Sequence, residues 1–342
     1  MLCALLFTAA LARAAVLDAS AATWSGRTLS VPANVSFSWE GVMASFTVSG
    51  ASQISVLASS RIPGTATGLF HTLVDGALVK NWTLGNTEAP ANISIAVGLV
   101  PGAAHTVSVW YATDPIVATW DALPPWSHSF HAFATDGTFG PPIQKPARRL
   151  QIIGDSITAG NQIDPVTCAA DHIGTYGARL CQKFDADCQT LAISGKGIFV
   201  NCCDLNVTMT TLFERTLVGF PDILWDDADF VPDGVILALG TNDQGHNSGP
   251  AWVANFTDAY AAFLTRLTHV HGNPALPIFC AVGPITNDYY PWVVAAIAQS
   301  GVANAHILNF TAPVDKCNHP PWASHALMAD QAAPAIAAAL GW

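Results

Sequence analysis

The chain has no basic run. It carries 13 Lys+Arg against 24 Asp+Glu, a formal net charge of −11, and its densest positive cluster is the pair Arg148-Arg149. A phosphate-binding footprint is therefore missing, and nucleic acid is not an expected partner. Charged residues are scarce, at 11%, while hydrophobic residues make up 51%. That balance speaks against a disordered chain, which needs low hydrophobicity and high charge. So few charges also leave glycans as one candidate for keeping the surface wet. No stretch is long and charge-free enough for a membrane helix of about 20 residues. The Ala-rich run from Ala332 to Leu340 is short and contains Pro334, which fits a packed terminal helix rather than an anchor. No CxxC pair occurs and Cys202-Cys203 are adjacent, so the ligand spacing of a tetrahedral zinc site is absent and no metal is expected.

A length of 342 residues fits about two domains. Residues 2–12 form an apolar run too short to span a bilayer, followed by the A-x-A-type site Ala12-Arg13-Ala14. This reads as a secretory signal peptide over 1–15, although only the amino terminus supplies positive charge; a buried N-terminal helix is the plainer alternative. Asn-x-Ser/Thr sequons at Asn34, Asn81, Asn92, Asn206, Asn255 and Asn309 fit a secreted, extracellular glycoprotein. Seven cysteines remain after Cys3, all in the second half: Cys168, Cys181, Cys188, Cys202, Cys203, Cys280 and Cys317. An odd number predicts disulfides plus one free thiol or an intermolecular bond, with the pairing left open.

Two periodicities divide the chain. From about residue 25 to 140, short β-rich runs alternate with Gly/Pro/Asn turns: Val35–Trp39, Ala44–Val48, Ile54–Ala58, Leu73–Trp82, Ile93–Val97 and His105–Tyr111. Asp75-Gly76 between two apolar runs predicts a hairpin inside the fourth. Short strands at this spacing predict an antiparallel β-sandwich over 16–145. The run Pro141 to Pro146 reads as the link. After it, strands and helices alternate. Strands are expected at Leu150–Ile153, Gln189–Ile193, Val235–Leu239, Ile278–Val282 and His306–Phe310. Helices are expected near 170–186, 251–268, 288–299 and 323–340. Continuous apolar strands are those of a parallel sheet buried on both faces. The second half, 146–342, is thus expected to be a doubly wound α/β domain of three layers, α/β/α. Ligands in such folds bind beyond the carboxyl ends of the strands.

Those ends carry Gly154-Asp155-Ser156, Ser194-Gly195-Lys196-Gly197, Gly240-Thr241-Asn242-Asp243, and Asp315-Lys316-Cys317-Asn318-His319-Pro320. A hydroxyl, a flexible glycine loop, a carboxamide and an imidazole are the inventory of acyl transfer: nucleophile, oxyanion donors and general base. Each alone has a plainer reading. Ser156 fits an N-cap, Gly195 a positive-φ turn, Asn242 an Asx-turn, Asp243 a helix-start carboxylate, and His319 a loop histidine. Their joint occurrence in order favours the chemical reading.

The order Ser156, Gly195, Asn242, His319 resembles the SGNH (GDSL) hydrolase superfamily. Met209-x-x-Leu212-x-x-Arg215, Trp225-Asp226, Pro232-Asp233, and His319-Pro320 followed by His325 look like the two-domain carbohydrate esterases of family two. Phe130-His131 and Asp136-Gly137 in the first half match their N-terminal domain. The resemblance implies a flavodoxin-like hydrolase domain behind a jelly-roll-like sandwich, removal of acetyl groups from plant polysaccharides such as xylan, and no cofactor. It also implies an acid three residues before the histidine, but that position is Lys316 and Asp315 lies four before. Asp315 is the tentative partner of His319; some family-two esterases use a backbone carbonyl instead.

On this reading Ser156 Oγ attacks an ester, His319 is the base, and the N–H groups of Ser156 and Gly195 and the Asn242 amide receive the oxyanion. An ordinary imidazole places the rise of activity near pH ~6–7. Among eleven tryptophans, Trp225, Trp252, Trp292 and Trp322 lie in the second half, and Trp225 and Trp322 are tentative sugar-binding platforms, with plain packing as the alternative. The competing functions are a lipase or other small-ester hydrolase, and a catalytically inactive carbohydrate-binding protein.

Overall fold

The structure is a computed structural model that describes residues 14–115, 124–203 and 207–342. Nearly all of the expected signal peptide, residues 1–13, and the sequon Asn206 lie outside the described residues, whereas Ala15 already stands in a strand. The β-rich half contributes β1 (Ala15–Asp18), β2 (Thr23–Ser25), β3 (Leu29–Val31), β4 (Asn34–Phe37), β5 (Met43–Ser49) and β6 (Gln53–Ser60). It continues through β7 (Thr67–Val74), β8 (Ala77–Gly85), β9 (Thr87–Val97), β10 (Ala104–Tyr111), β11 (His128–Thr135) and β12 (Thr138–Phe139). They form two antiparallel sheets, β3-β4-β11-β6-β9 with β1 on β11, and β12-β5-β10-β7-β8 with β2 on β5. The β7–β8 hairpin turns at Asp75 and Gly76, whose φ angles of 51° and 79° are those a two-residue type I′ loop requires. Between the sheets lies an aromatic core in which Phe70 stacks on Trp82 at 4.3 Å and Phe130 meets Phe37 edge-on at 5.1 Å. Buried His128 sits among these rings, its pKa driven down to about 3 by burial, so it packs as a neutral aromatic.

The second half begins with β13 (Arg148–Gly154) and α1 (Ser156–Ala159). There follow α2 (Tyr176–Phe184), β14 (Ala186–Ala192), α3 (Met209–Leu212), β15 (Gly234–Ala238) and α4 (Thr241–Gln244). The chain ends with α5 (Pro250–Val270), β16 (Ile278–Val282), α6 (Tyr290–Ser300), β17 (Ala305–Asn309) and α7 (Trp322–Leu340). The five strands are parallel in the order β14-β13-β15-β16-β17, a doubly wound sheet whose switch point lies at β13. All five residues of β16 are buried, as expected of a strand covered on both faces. The helix expected over 170–186 is shorter. His172–Gly174 form a 3₁₀ turn, α2 starts after the N-cap Thr175, and Asp185 at φ 47° ends it. Residues from Ala186 onward then pair with β13, because Arg148 aligns with Ala186.

The halves share one continuous apolar core, running from the aromatic cluster into Ile153, Leu191 and Phe213. Polar groups stitch the same boundary. Arg27, fully buried, donates to Gln189 Oε1 at 3.1 Å, to Arg215 O at 2.9 Å and to Phe213 O, and its guanidinium lies over the Phe213 and Trp225 rings. Ser38 Oγ accepts Val218 N–H at 2.8 Å, and Asp171 accepts His71 Nε2 at 2.9 Å. Burial lowers the Arg27 pKa to about 9. Arg27→Ala leaves Phe213 O without its donor, at about 1–3 kcal/mol, takes one of two donors from Gln189 Oε1 and from Arg215 O, which keep Gln151 Nε2 and Trp39 Nε1, and opens a cavity beneath two aromatic rings. The expected loss is on the order of 3 kcal/mol or more of unfolding free energy, read as a lower denaturant midpoint; a shift under about 1 kcal/mol contradicts it.

Candidate active site

The parallel register sets the site. Gly154 aligns with Ala192 on one side and Ala238 on the other, so β13, β14 and β15 release their chains at one level of the sheet. Gly154 tolerates no side chain, since a Cβ there would lie 2.0 Å from Thr158 Oγ1. Asp155 then caps α1, accepting Ile157 N–H at 3.0 Å, and Ser156 is the first helical residue. The backbone N–H of that position has no partner within a helix. Ser156 is buried to 7% exposure, and Asn161 N and Gly160 N both donate to its carbonyl, so the turn under the hydroxyl is closed.

His319 reaches the same point from the other end of the sequence. Its Nε2 lies 2.9 Å from Ser156 Oγ, across 163 residues. The disulfide Cys168–Cys317 ties the His319 loop to the segment that follows α1. Cys181–Cys188 clips α2 to β14, and the adjacent pair Cys202–Cys203 is itself bonded. Among the described residues Cys280 is the free thiol, and it is buried, which removes the intermolecular alternative for it.

The Gly195 loop is pinned from several sides. Gly195 takes φ 78°, where a side chain is strained, and its carbonyl accepts Cys202 N–H at 2.9 Å. Asp243, fully buried, accepts Phe199 N at 2.7 Å, Val200 N at 2.8 Å and Ile198 N at 3.0 Å. Its pKa is raised by burial, against the pull of those three donors. Asn242 Nδ2 donates to Lys196 O at 2.8 Å and to Asp155 Oδ2 at 3.2 Å. Both amide hydrogens are thus engaged, and an oxyanion would draw its N–H from the longer contact. Burial pushes Asp155 up to about 7.

Asp315 does not hydrogen-bond the imidazole. Four residues of separation let it cap its own turn instead: its Oδ1 accepts Cys317 N at 2.8 Å, and its carbonyl accepts Asn318 N at 3.0 Å. Asp315 Oδ2 and His319 Nδ1 are both buried without a hydrogen bond. Burial lowers the His319 pKa; the Cys317 carbonyl and the Asp315 charge pull it upward, though neither closes to a hydrogen bond on Nδ1.

Of the tentative platforms, Trp322 opens α7 three residues after His319, donates its backbone N–H to Ile163 O at 3.2 Å, and packs its ring on Gly174. Trp225 lies elsewhere: its ring takes the Arg27 guanidinium at 5.1 Å in the domain boundary. A cation over an indole face is a packing contact that leaves that face unavailable to a sugar. His325 is structural as well, fully buried, its Nδ1 accepting Tyr176 N–H at 3.1 Å at the start of α2. Residues 198–200 are held by Asp243, a role that its reading as a helix-start carboxylate did not contain.

The sequence matches the profile of the GDSL-like lipase/acylhydrolase family over residues 152–336, more than half of the chain. It is 25% identical over 350 residues to the cellulase/esterase CelE of Acetivibrio thermocellus, covering 93% of this chain and 38% of that protein. It is 27% identical over 215 residues to an acetylxylan esterase / glucomannan deacetylase of Cellvibrio japonicus, covering 58% of each. The chain therefore spans less than two thirds of the length of these curated relatives. A crystal structure of a carbohydrate esterase family 2 enzyme plus carbohydrate-binding domain from Corynascus thermopiles (Myceliophthora fergusii) superimposes with a TM-score of 0.77 at 28% identity, covering 94% of this chain and 100% of that one. The chain belongs to the GDSL-like lipase/acylhydrolase family.

The Cys168–Cys317 bridge closes a loop of 149 residues. Replacing both cysteines by Ser is expected to remove about 2–5 kcal/mol of stability. Denaturant unfolding of the double variant checks this; an unchanged midpoint would contradict it.

Proposed function

We propose that this protein is a secreted serine esterase that hydrolyses short acyl esters, acetyl esters of carbohydrate foremost, through a Ser156–His319 acyl-enzyme mechanism. The observation that carries the reading is the 2.9 Å contact between Ser156 Oγ and His319 Nε2 at the carboxyl edge of the sheet. The printed names of relatives, an acetylxylan esterase / glucomannan deacetylase among them, support the acetyl–carbohydrate substrate class. Three disulfides among the described residues support an oxidising, extracellular compartment. Asn81, Asn92, Asn255 and Asn309 are exposed and Asn34 is half-buried, which fits N-glycosylation. No helix among the described residues is long and apolar enough to cross a membrane.

The steps follow from the contacts. Neutral His319 presents a bare Nε2 to the Ser156 hydroxyl and takes its proton as Oγ attacks the ester carbonyl. Charge develops on the carbonyl oxygen, which the N–H groups of Ser156 and Gly195 and the Asn242 amide receive, the amide by releasing its longer contact to Asp155; one such donor is typically worth about 10²–10³ in rate. The tetrahedral adduct collapses, and His319 returns the proton to the departing alcohol. Water then attacks the acyl-Ser156 ester with His319 again as base, releasing the acid. His319 need only be neutral, and burial lowers its pKa, so activity extends further into acid than an ordinary imidazole allows. Asp315 acts on the ring through its charge.

Ser156→Ala is expected to abolish ester hydrolysis, and a fluorophosphonate is expected to add mass at Ser156. Retained activity, or no label, would falsify the reading. Acetate release from acetylated xylan should exceed hydrolysis of long-chain esters; the reverse ranking favours a lipase. The neutral base is required, so kcat/KM should rise with pH through a single acid limb centred below about 6.5. A flat profile through that limb, or a midpoint well above it, excludes His319 as the base.

A further inference from the structure

Asp114 follows β10 in the antiparallel domain and is 3% exposed. Its carboxylate crosses the domain boundary to Ser194. Oδ1 accepts Ser194 N–H at 3.3 Å and Oδ2 accepts the Ser194 hydroxyl. Ser194 Oγ in turn accepts Asn161 Nδ2 at 2.6 Å, and Asn161 N donates to Ser156 O at 2.9 Å. One carboxylate from the sandwich thus reaches the residue before Gly195 and, through Asn161, the turn that carries the nucleophile.

The segment bearing Asp114 is itself fixed. Ala112 N donates to Leu69 O at 2.9 Å, Thr113 Oγ1 accepts Leu69 N at 2.6 Å, and His172 N of the second domain donates to Ala112 O at 3.0 Å. Glu40 is buried beside it, its carboxyl pushed well above the usual range by burial and by Asp114.

The Ser194–Gly195 peptide plane is set by ψ of Ser194 and φ of Gly195. Glycine at φ 78° offers little resistance to rotation. Clamping Ser194 at its N–H and its hydroxyl fixes the Cα on one side of that plane, and the Cys202 N–H on the Gly195 carbonyl holds the other side, which together limit its rotation. The direction of Gly195 N–H is what an oxyanion donor depends on. We infer that Asp114 is a positioning residue of the ester-hydrolysis site, supplied by the sandwich domain, which orients the Gly195 N–H by holding Ser194. This rests on the esterase reading above, and it makes the sandwich part of the catalytic unit.

The test uses the full chain, steady-state hydrolysis of p-nitrophenyl acetate, and the rate at which a fluorophosphonate labels Ser156. Asp114→Ala is expected to lower kcat about 10- to 100-fold, as a misplaced group does, with KM within about twofold. Labelling should slow in proportion. Asp114→Asn keeps one of the two acceptor oxygens for Ser194 and should recover part of the rate. Ser194→Ala should share the kcat defect, and the double variant should be no worse than Asp114→Ala alone, because both break one linkage. A folded Asp114→Ala with unchanged kcat, an Asn variant as slow as Ala, or additive losses in the double variant would overturn the inference. Should Asp114→Ala fail to fold, Ser194→Ala decides by the same kcat comparison. Wild-type protein unlabelled at Ser156 overturns the esterase reading itself; labelled wild type with an unimpaired Asp114→Ala overturns only the positioning role.

Discussion

Everything at the site depends on the register of one parallel sheet. With Gly154 opposite both Ala192 and Ala238, three loops leave the sheet at the same height, and Ser156, Gly195 and Asn242 become neighbours without any loop stretching to meet another. A parallel sheet buried on both faces resists slippage, because a one-residue shift would turn every apolar side chain toward the wrong layer. His319 lies beyond β17, at the opposite edge from β14. It returns over the sheet on a loop that Cys168–Cys317 ties to the chain just after Ser156.

Around that frame the polar groups are few and heavily engaged. Asp155 and Asp243 are buried carboxylates whose pKa values burial raises; Asp155 holds the Ile157 N–H and Asp243 holds three N–H groups, of Ile198, Phe199 and Val200. Asp155 brackets the start of α1, and Asp243 brackets the irregular loop that follows β14. Arg27 does the same in the domain boundary, with carbonyls in place of N–H groups. This concentration of buried ionisable groups sits in a protein with few charged residues, and it falls on the turns around Ser156 and Gly195 and on the seam between the domains.

Much was legible along the chain. The Asp75-Gly76 hairpin, the continuous apolar strands β15 and β16, and the switch from period two to strand–helix alternation all appear where local patterning predicts them. β11 went unassigned on periodicity, because its histidines break the apolar alternation; in the fold His128 is a neutral core ring. The helix drawn over 170–186 ran into a strand for a similar reason, since Asp185 in the left-handed region leaves no strong signal in composition.

Sequence alone determined the class of each half, the positions of the turns and the kinds of side chain waiting at the strand ends, because those follow from spacing between near neighbours. Tertiary structure decided the rest. It gave Trp225 to Arg27, turned Asp315 back onto its own turn, paired six cysteines and buried the seventh, and set Asp114 of one domain against Ser194 of the other. A buried polar atom takes whichever partner the fold brings within about 3 Å, and that partner is usually far away along the chain.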